Sequence, residues 1–161
     1  VTLKVVNPND RALEIQGQLL AGAKDPAEKR QRTIELSRLH EELSGDVRKA
    51  EQTLEALRKE MPNDAAALRA LAEFHVRHNH GPAVNILLDR TAANARRALH
   101  TGRFEMHLFA NLATVFELRG NADAARVAKA TLGALEGEPA DIMHNPRVVE
   151  VFAALVDRGV V

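Results

Sequence analysis

Residues 71–75 read Leu71-Ala72-Glu73-Phe74-His75: an apolar residue, a small residue and, three positions after the small one, a ring. The same order occurs twice more, as Leu36-Ser37-x-x-His40 and as Leu112-Ala113-x-x-Phe116. An apolar residue and a ring four positions apart lie on one face of a helix. The three copies therefore predict three related helices, each with a small residue where a neighbouring helix can approach closely.

The composition favours helices throughout the chain. Of its 161 residues, 45% are hydrophobic and only 3% are aromatic, with five Phe, no Trp and no Tyr. Ala, Leu, Arg and Glu, which are good helix formers, take the place of the β-branched and aromatic residues typical of sheets. Pro, Gly and capping residues divide the chain into seven or eight predicted helices, at about residues 8–23, 26–43, 46–61, 64–78, 82–99, 104–119, 122–135 and 146–157.

The predicted helices are joined by short turns. Asp25 is a predicted helix N-cap, followed by Pro26 in the first turn of the helix. In Gly45-Asp46 and in Gly120-Asn121, a turn glycine comes directly before the predicted N-cap residue. Turns of a few residues force consecutive helices to pack antiparallel as hairpins. We therefore predict an all-α fold made of antiparallel helical hairpins.

The repeated pattern, with Ala50 and Pro62 following the first copy, resembles the tetratricopeptide repeat (TPR) family. The resemblance implies hairpins stacked as a right-handed α-solenoid, with a lead-in at residues 1–9, repeats over 10–136, and a linker and capping helix over 137–161. It implies one TPR-like domain over the whole chain, expected to be a fragment of a longer protein. Gly17 fits the small-residue slot on the first helix. His stands twice where the family has Tyr, and the family's Trp is missing.

Charge and cysteine content exclude several classes of function. The chain has 22 basic and 22 acidic residues and no Cys. Balanced charge gives no electrostatic argument for binding nucleic acid or an anionic membrane. The absence of Cys excludes thiolate zinc sites and cysteine nucleophiles. With neither a long apolar run nor a signal-peptide pattern, we expect no membrane insertion and a cytoplasmic location.

No catalytic motif is present. The sequence has no Walker loop and no Gly-x-Ser-x-Gly elbow. His40-Glu41-Glu42-Leu43-Ser44 starts like the metalloprotease helix, but Ser44 replaces the second histidine ligand. We therefore predict that the protein is not an enzyme and needs no cofactor.

The resemblance to TPR proteins implies a partner-binding groove on the concave face, lined by the first helix of each hairpin. Carried over position by position, the groove residues are Arg38, Glu42, Arg69, Glu73, Arg77, His107, Asn111 and Thr114. Such a groove suits a peptide or protein segment with charges of both signs. The leading hypothesis is accordingly a non-catalytic protein-interaction scaffold.

Two alternatives stay open at the level of sequence. His75, His78 and His80 could bind a transition metal, although His75 occupies the ring position of the repeat and is expected to be packed. The chain could also be an architectural spacer within a larger repeat protein. The apolar ends, Val1–Val6 and Val160-Val161, predict self-association through the ends of the solenoid.

Overall fold

The computed structural model describes residues 7–137 and, beyond them, Ala153, Val156, Asp157 and Gly159. Within these residues the protein is all-helical, with seven helices joined by short turns and no strand. This confirms the predicted all-α class. The apolar ends, residues 1–6 of the predicted lead-in (1–9) and most of the predicted linker and last helix lie outside the described residues, whereas Pro8 and Asn9 of the predicted lead-in are helical.

The described residues fall into two compact units, which divide the chain between Pro62 and Asn63. The first unit contains α1 (Pro8–Gly22), α2 (Pro26–Glu42) and α3 (Val47–Glu60). The second contains α4 (Ala65–Arg77), α5 (Gly81–His100), α6 (Met106–Leu118) and α7 (Ala122–Gly137). The single TPR-like domain over the whole chain stays a prediction.

Helix starts are fixed by capping side chains close to where the sequence places them. The carboxylates of Asp25, Asp46 and Asp64 accept hydrogen bonds from backbone N–H groups three residues later, at 3.0, 2.9 and 2.8 Å. The side chain of Asn121 does the same for α7 at 3.1 Å. Each bond satisfies one of the backbone donors that a helix leaves free in its first turn. The exception to the predicted starts is α6, which begins at Met106 and not at Phe104.

In the first unit, α2 packs against both α1 and α3. Ser37 is buried, and its hydroxyl donates a hydrogen bond of 2.9 Å to the backbone carbonyl of Ala50 on α3. A side chain larger than Ser would separate the two helices at this point. On the other side, the amide of Gln16 from α1 donates to the Glu35 carboxylate at 2.9 Å and to the Arg32 carbonyl at 3.2 Å.

In the second unit, α6 packs against α4, α5 and α7. It is therefore buried around most of its circumference, and Phe109 and Val115 are completely inaccessible to solvent. Helices α5 and α7 contribute further apolar residues to the same continuous core, among them Leu88 and Leu135. A core of this kind makes α6 the central element of the unit.

The repeated positions have the burial that the pattern predicts. The small residues Ser37, Ala72 and Ala113 are 2%, 0% and 4% exposed. The rings three positions later, His40, His75 and Phe116, are also buried. Gly17 differs from them, because a methyl group added there would meet nothing within 4 Å apart from its chain neighbours and the backbone of its own helix. No close helix approach explains Gly17, although the sequence placed it in the same slot.

Candidate binding surface

The predicted groove residues belong to both units. Arg38 and Glu42 lie on α2 of the first unit, four residues apart and exposed. The remaining six lie on α4 and α6 of the second unit. Since residues four apart share one side of a helix, Arg38 and Glu42 form a small patch with one charge of each sign.

On α4, Arg69, Glu73 and Arg77 follow one another at four-residue spacing and so lie on one face of the helix. We call these three residues the α4 charged face. The side chains of Arg69 and Glu73 are 38% and 49% exposed, and Nη1 of Arg69 lies 3.8 Å from Oε1 of Glu73. Arg77 is exposed, and its guanidinium carbon lies 5.9 Å from the centre of the Phe74 ring. This face therefore presents two cations around one anion.

Arg69 is held in place from outside α4. Its guanidinium donates a hydrogen bond to the carboxylate of Glu117 on α6, and the ammonium of Lys129 on α7 pairs with the same carboxylate. Hydrogen bonding from Lys129, followed by hydrogen bonding and charge attraction from Arg69, lowers the pKa of Glu117 despite its partial burial. Glu117 therefore stays ionised at neutral pH and fixes the position of Arg69 between three helices.

Three predicted groove residues lie on α6, and they differ in their exposure to solvent. His107 is half-buried, and its Nδ1 lies 3.3 Å from the carboxylate of Glu105. Asn111 and Thr114 are only 5% and 6% exposed.

Hydrogen bonds inside the second unit account for these two buried residues. Asn111 donates to the carbonyl of Asn63, just before α4, at 3.1 Å, and Thr114 donates to the carbonyl of Ala110 at 3.0 Å. Their side chains are internal, because α6 is enclosed by its neighbours, so a partner resting on the surface would not reach them. Of the predicted set in this unit, the α4 charged face and His107 are the residues open to solvent.

Glu117 and Lys129 belong to the same surface and were not singled out from the sequence. Glu117 is 48 residues from Arg69 along the chain. No local pattern indicates a pairing at that separation. Only the packing of α6 between α4 and α7 brings the three charges together.

The three histidines of the His-x-x-His-x-His cluster are close in space at the α4–α5 turn. Ring centres are 5.8 Å apart for His75 and His80, and 6.2 Å apart for His78 and His80. His75 is buried and His80 is exposed. His78 is half-buried, and its ring centre lies 4.5 Å from that of Phe74. The packing expected for His75 at the ring position is confirmed.

Comparison of this chain with protein-family models, with curated proteins and with solved structures finds no match. Within the part of the chain that the structure describes, no helix has both the length and the apolar composition needed to cross a bilayer.

Proposed function

We propose that the protein is a non-catalytic interaction module that binds a protein or peptide segment through the α4 charged face. The observation that carries this proposal is the position of Arg69, which Glu117 holds at the surface between α4, α6 and α7. A cation fixed before binding loses less side-chain entropy when it meets a carboxylate than a freely rotating one does. The α4 charged face is therefore prepared for contact with a charged partner.

The sign of the charges suggests the chemistry of that partner. Arg69 and Arg77 flank Glu73 on the α4 charged face. A partner segment with one acidic group on each side of a basic or polar group would complement the α4 charged face. Complementary charges of this kind contribute more to specificity and association rate than to affinity.

The proposal includes the TPR-like arrangement, in which helical hairpins stack as a right-handed α-solenoid. Burial of the small residues Ser37, Ala72 and Ala113 supports it, because these are the positions where the repeat pattern places close helix contacts. We further propose that the protein has no catalytic activity.

Charge reversal tests the proposal. Proteins retained by the immobilised wild-type chain are compared with those retained by Arg77→Glu and by the control Arg126→Glu. Arg126 is an exposed arginine of α7 that pairs with Asp123 at 3.5 Å. We expect Arg77→Glu to lose a partner that the control keeps, with affinity for the purified partner falling about tenfold or more. Equal retention and equal affinity would show that the α4 charged face is not the binding surface.

Metal binding by His75, His78 and His80 is a second candidate function, favoured by the distance of 5.8 Å between the ring centres of His75 and His80. Tag-free protein is titrated with Zn²⁺ and Ni²⁺ by calorimetry, with His80→Ala as the test variant. The control is His100→Ala, at an exposed histidine at the C-terminal end of α5. A saturable heat with a dissociation constant below about 10 µM, lost in His80→Ala alone, would support a site. Its absence in the wild type would exclude this function.

A further inference from the structure

The first unit contains a cleft that the proposed function does not use. It has a volume of about 420 Å³ and lies between α1 and α3, over α2. Its lining residues are Leu20, Lys29, Thr33, Lys49, Gln52, Thr53, Ala56, Leu57 and Glu60. With about 100° of helix rotation per residue, Lys29 and Arg38 lie about 180° apart around α2. The cleft therefore opens on the side of α2 away from Arg38 and Glu42.

The floor of the cleft is largely apolar. Leu20, Ala56 and Leu57 supply hydrocarbon surface from two helices. The hydroxyls of Thr33 and Thr53 donate to backbone carbonyls of their own helices, both at 2.8 Å. Because these hydroxyls already have acceptors, neither requires a polar group of a ligand, and the floor suits an apolar side chain.

The rim of the cleft is charged and has a positive excess. Lys29 on α2 pairs with Glu60 on α3. Lys49 is exposed and, among the described residues, has no carboxylate within ion-pairing distance. Of the three charged lining residues, Lys49 is thus the one whose charge is available to a ligand, with the amide of Gln52 beside it on the same helix.

We propose that this cleft binds an acidic–apolar peptide segment, with an apolar side chain on the floor and a neighbouring carboxylate paired with Lys49. The volume is near the lower end of the roughly 300–1,000 Å³ found for ligand pockets, which suits a segment of about two residues. Charge complementarity selects an acidic segment over a basic one. The site is separate from the α4 charged face, so either proposal can fail without the other.

A matched pair of probes tests the proposal by NMR. The ¹⁵N-labelled protein is titrated with N-acetyl-Leu-Glu-amide and with N-acetyl-Leu-Gln-amide, which differ in the carboxylate alone. We expect saturable shifts at the amides of Leu20, Thr33 and Thr53, with binding of the Gln probe weaker by up to about fivefold, the largest preference that one exposed ion pair supplies. No saturable shift at these amides with either probe would overturn the proposal.

Three protein variants complete the test. Lys49→Gln is expected to remove the preference for the Glu probe, whereas Arg48→Gln, a change at the neighbouring exposed cation outside the lining, is expected to keep it. Ala56→Leu fills the floor and should weaken both probes. Unchanged spectra away from the cleft verify that each variant is folded. A preference that survives in Lys49→Gln would contradict the assigned role of Lys49.

Discussion

The two units are built on different kinds of core. Among the described residues, the first unit buries three apolar side chains, Ala50, Leu54 and Leu57, and four polar ones, Gln16, Thr33, Ser37 and His40. In the part of the second unit that the structure describes, twenty-one apolar residues and five polar ones are buried. Because burial of apolar surface is the main favourable contribution to folding, we expect the second unit to be the stable scaffold and the first to open more readily.

The difference bears on the two proposed sites. The α4 charged face rests on the apolar core of the second unit, and Arg69, at one end of this face, is fixed by Glu117. The cleft of the first unit lies beside side chains held mainly by hydrogen bonds, such as Ser37 to Ala50 and Gln16 to Glu35. A site on a less stable unit adapts more easily to a ligand, at the cost of ordering the unit when the ligand binds.

The largest expected effect is in the apolar core. Phe109→Ala removes a ring that is 0% exposed and should destabilise the second unit by about 3–5 kcal/mol, through lost burial and the cavity left behind. Urea denaturation followed by circular dichroism measures it. The control Ile86→Ala, at a side chain 67% exposed, should change stability by less than about 0.5 kcal/mol. Similar effects of the two substitutions would refute the assignment of the core to α6.

A smaller effect is expected at the close contact between α2 and α3. Ser37→Leu forces a larger side chain against Ala50 and should cost about 1–3 kcal/mol, against about 0.5–1.5 kcal/mol for Ser37→Ala, which loses only the hydrogen bond. Thermal unfolding of the first unit, followed by NMR, separates the two variants.

Gly17→Ala provides the contrast, because the added methyl group meets no neighbouring helix. This substitution should stabilise α1 by about 0.5–1 kcal/mol. A loss of stability in Gly17→Ala would indicate that another helix does approach Gly17 closely, as the repeat pattern predicts.

The polar core of the first unit also predicts a pH dependence. Burial, and then the charge of Lys49, lower the pKa of His40 below its ordinary value of 6.5, against the opposing effect of Asp46. His40 therefore takes up a proton at a lower pH in the folded unit than in the unfolded chain, where it does so near pH 6.5. The stability that neutral His40 contributes to the first unit is complete above about pH 6.5, and the first unit loses this stability as the pH falls below that value.

His40→Phe tests this prediction, since Phe116 already occupies the equivalent position in the third copy of the repeat. The melting temperature of the first unit is measured from pH 7 to pH 5 in both proteins. The variant should lose less stability on acidification than the wild type. Parallel pH profiles would show that His40 does not control the acid sensitivity.

The smallest effect concerns the turn between α4 and α5. Asn79 has a φ of 57°, in the left-handed region, at the position where Gly120 has 73° in the turn between α6 and α7. Glycine adopts this conformation without steric cost, so Asn79→Gly should stabilise the second unit by up to about 1 kcal/mol, and Gly120→Asn should destabilise it by a similar amount. Chemical denaturation of the two variants measures both changes. Changes in stability of the same sign in both variants would contradict the equivalence of the two turns.

The sequence predicts most of the helices because their ends are marked locally. Asp25, Asp46 and Asp64 are side-chain caps, and a cap acts within the first turn of its own helix. The burial of Ser37, Ala72 and Ala113 also follows from a local pattern.

The candidate surface is harder to predict, because it depends on which helix becomes central. The resemblance to TPR proteins assigns Asn111 and Thr114 to the groove, but α6 is packed by three other helices and buries them. The nearly continuous apolar run from Leu108 to Phe116 was the signal for this, since a helix that is apolar all round is normally buried. The Arg69–Glu117 pair joins residues of two helices far apart in the chain, and no local pattern encodes it.

Native-state hydrogen exchange of the wild-type chain at pH 7 tests the contrast between the two units most directly. We expect the amides of Leu112 and Val115 in α6 to exchange about a hundredfold or more slowly than those of Ser37 and Leu54 in the first unit, after correction for intrinsic rates. Equal protection in the two units, or slower exchange in the first, would contradict it.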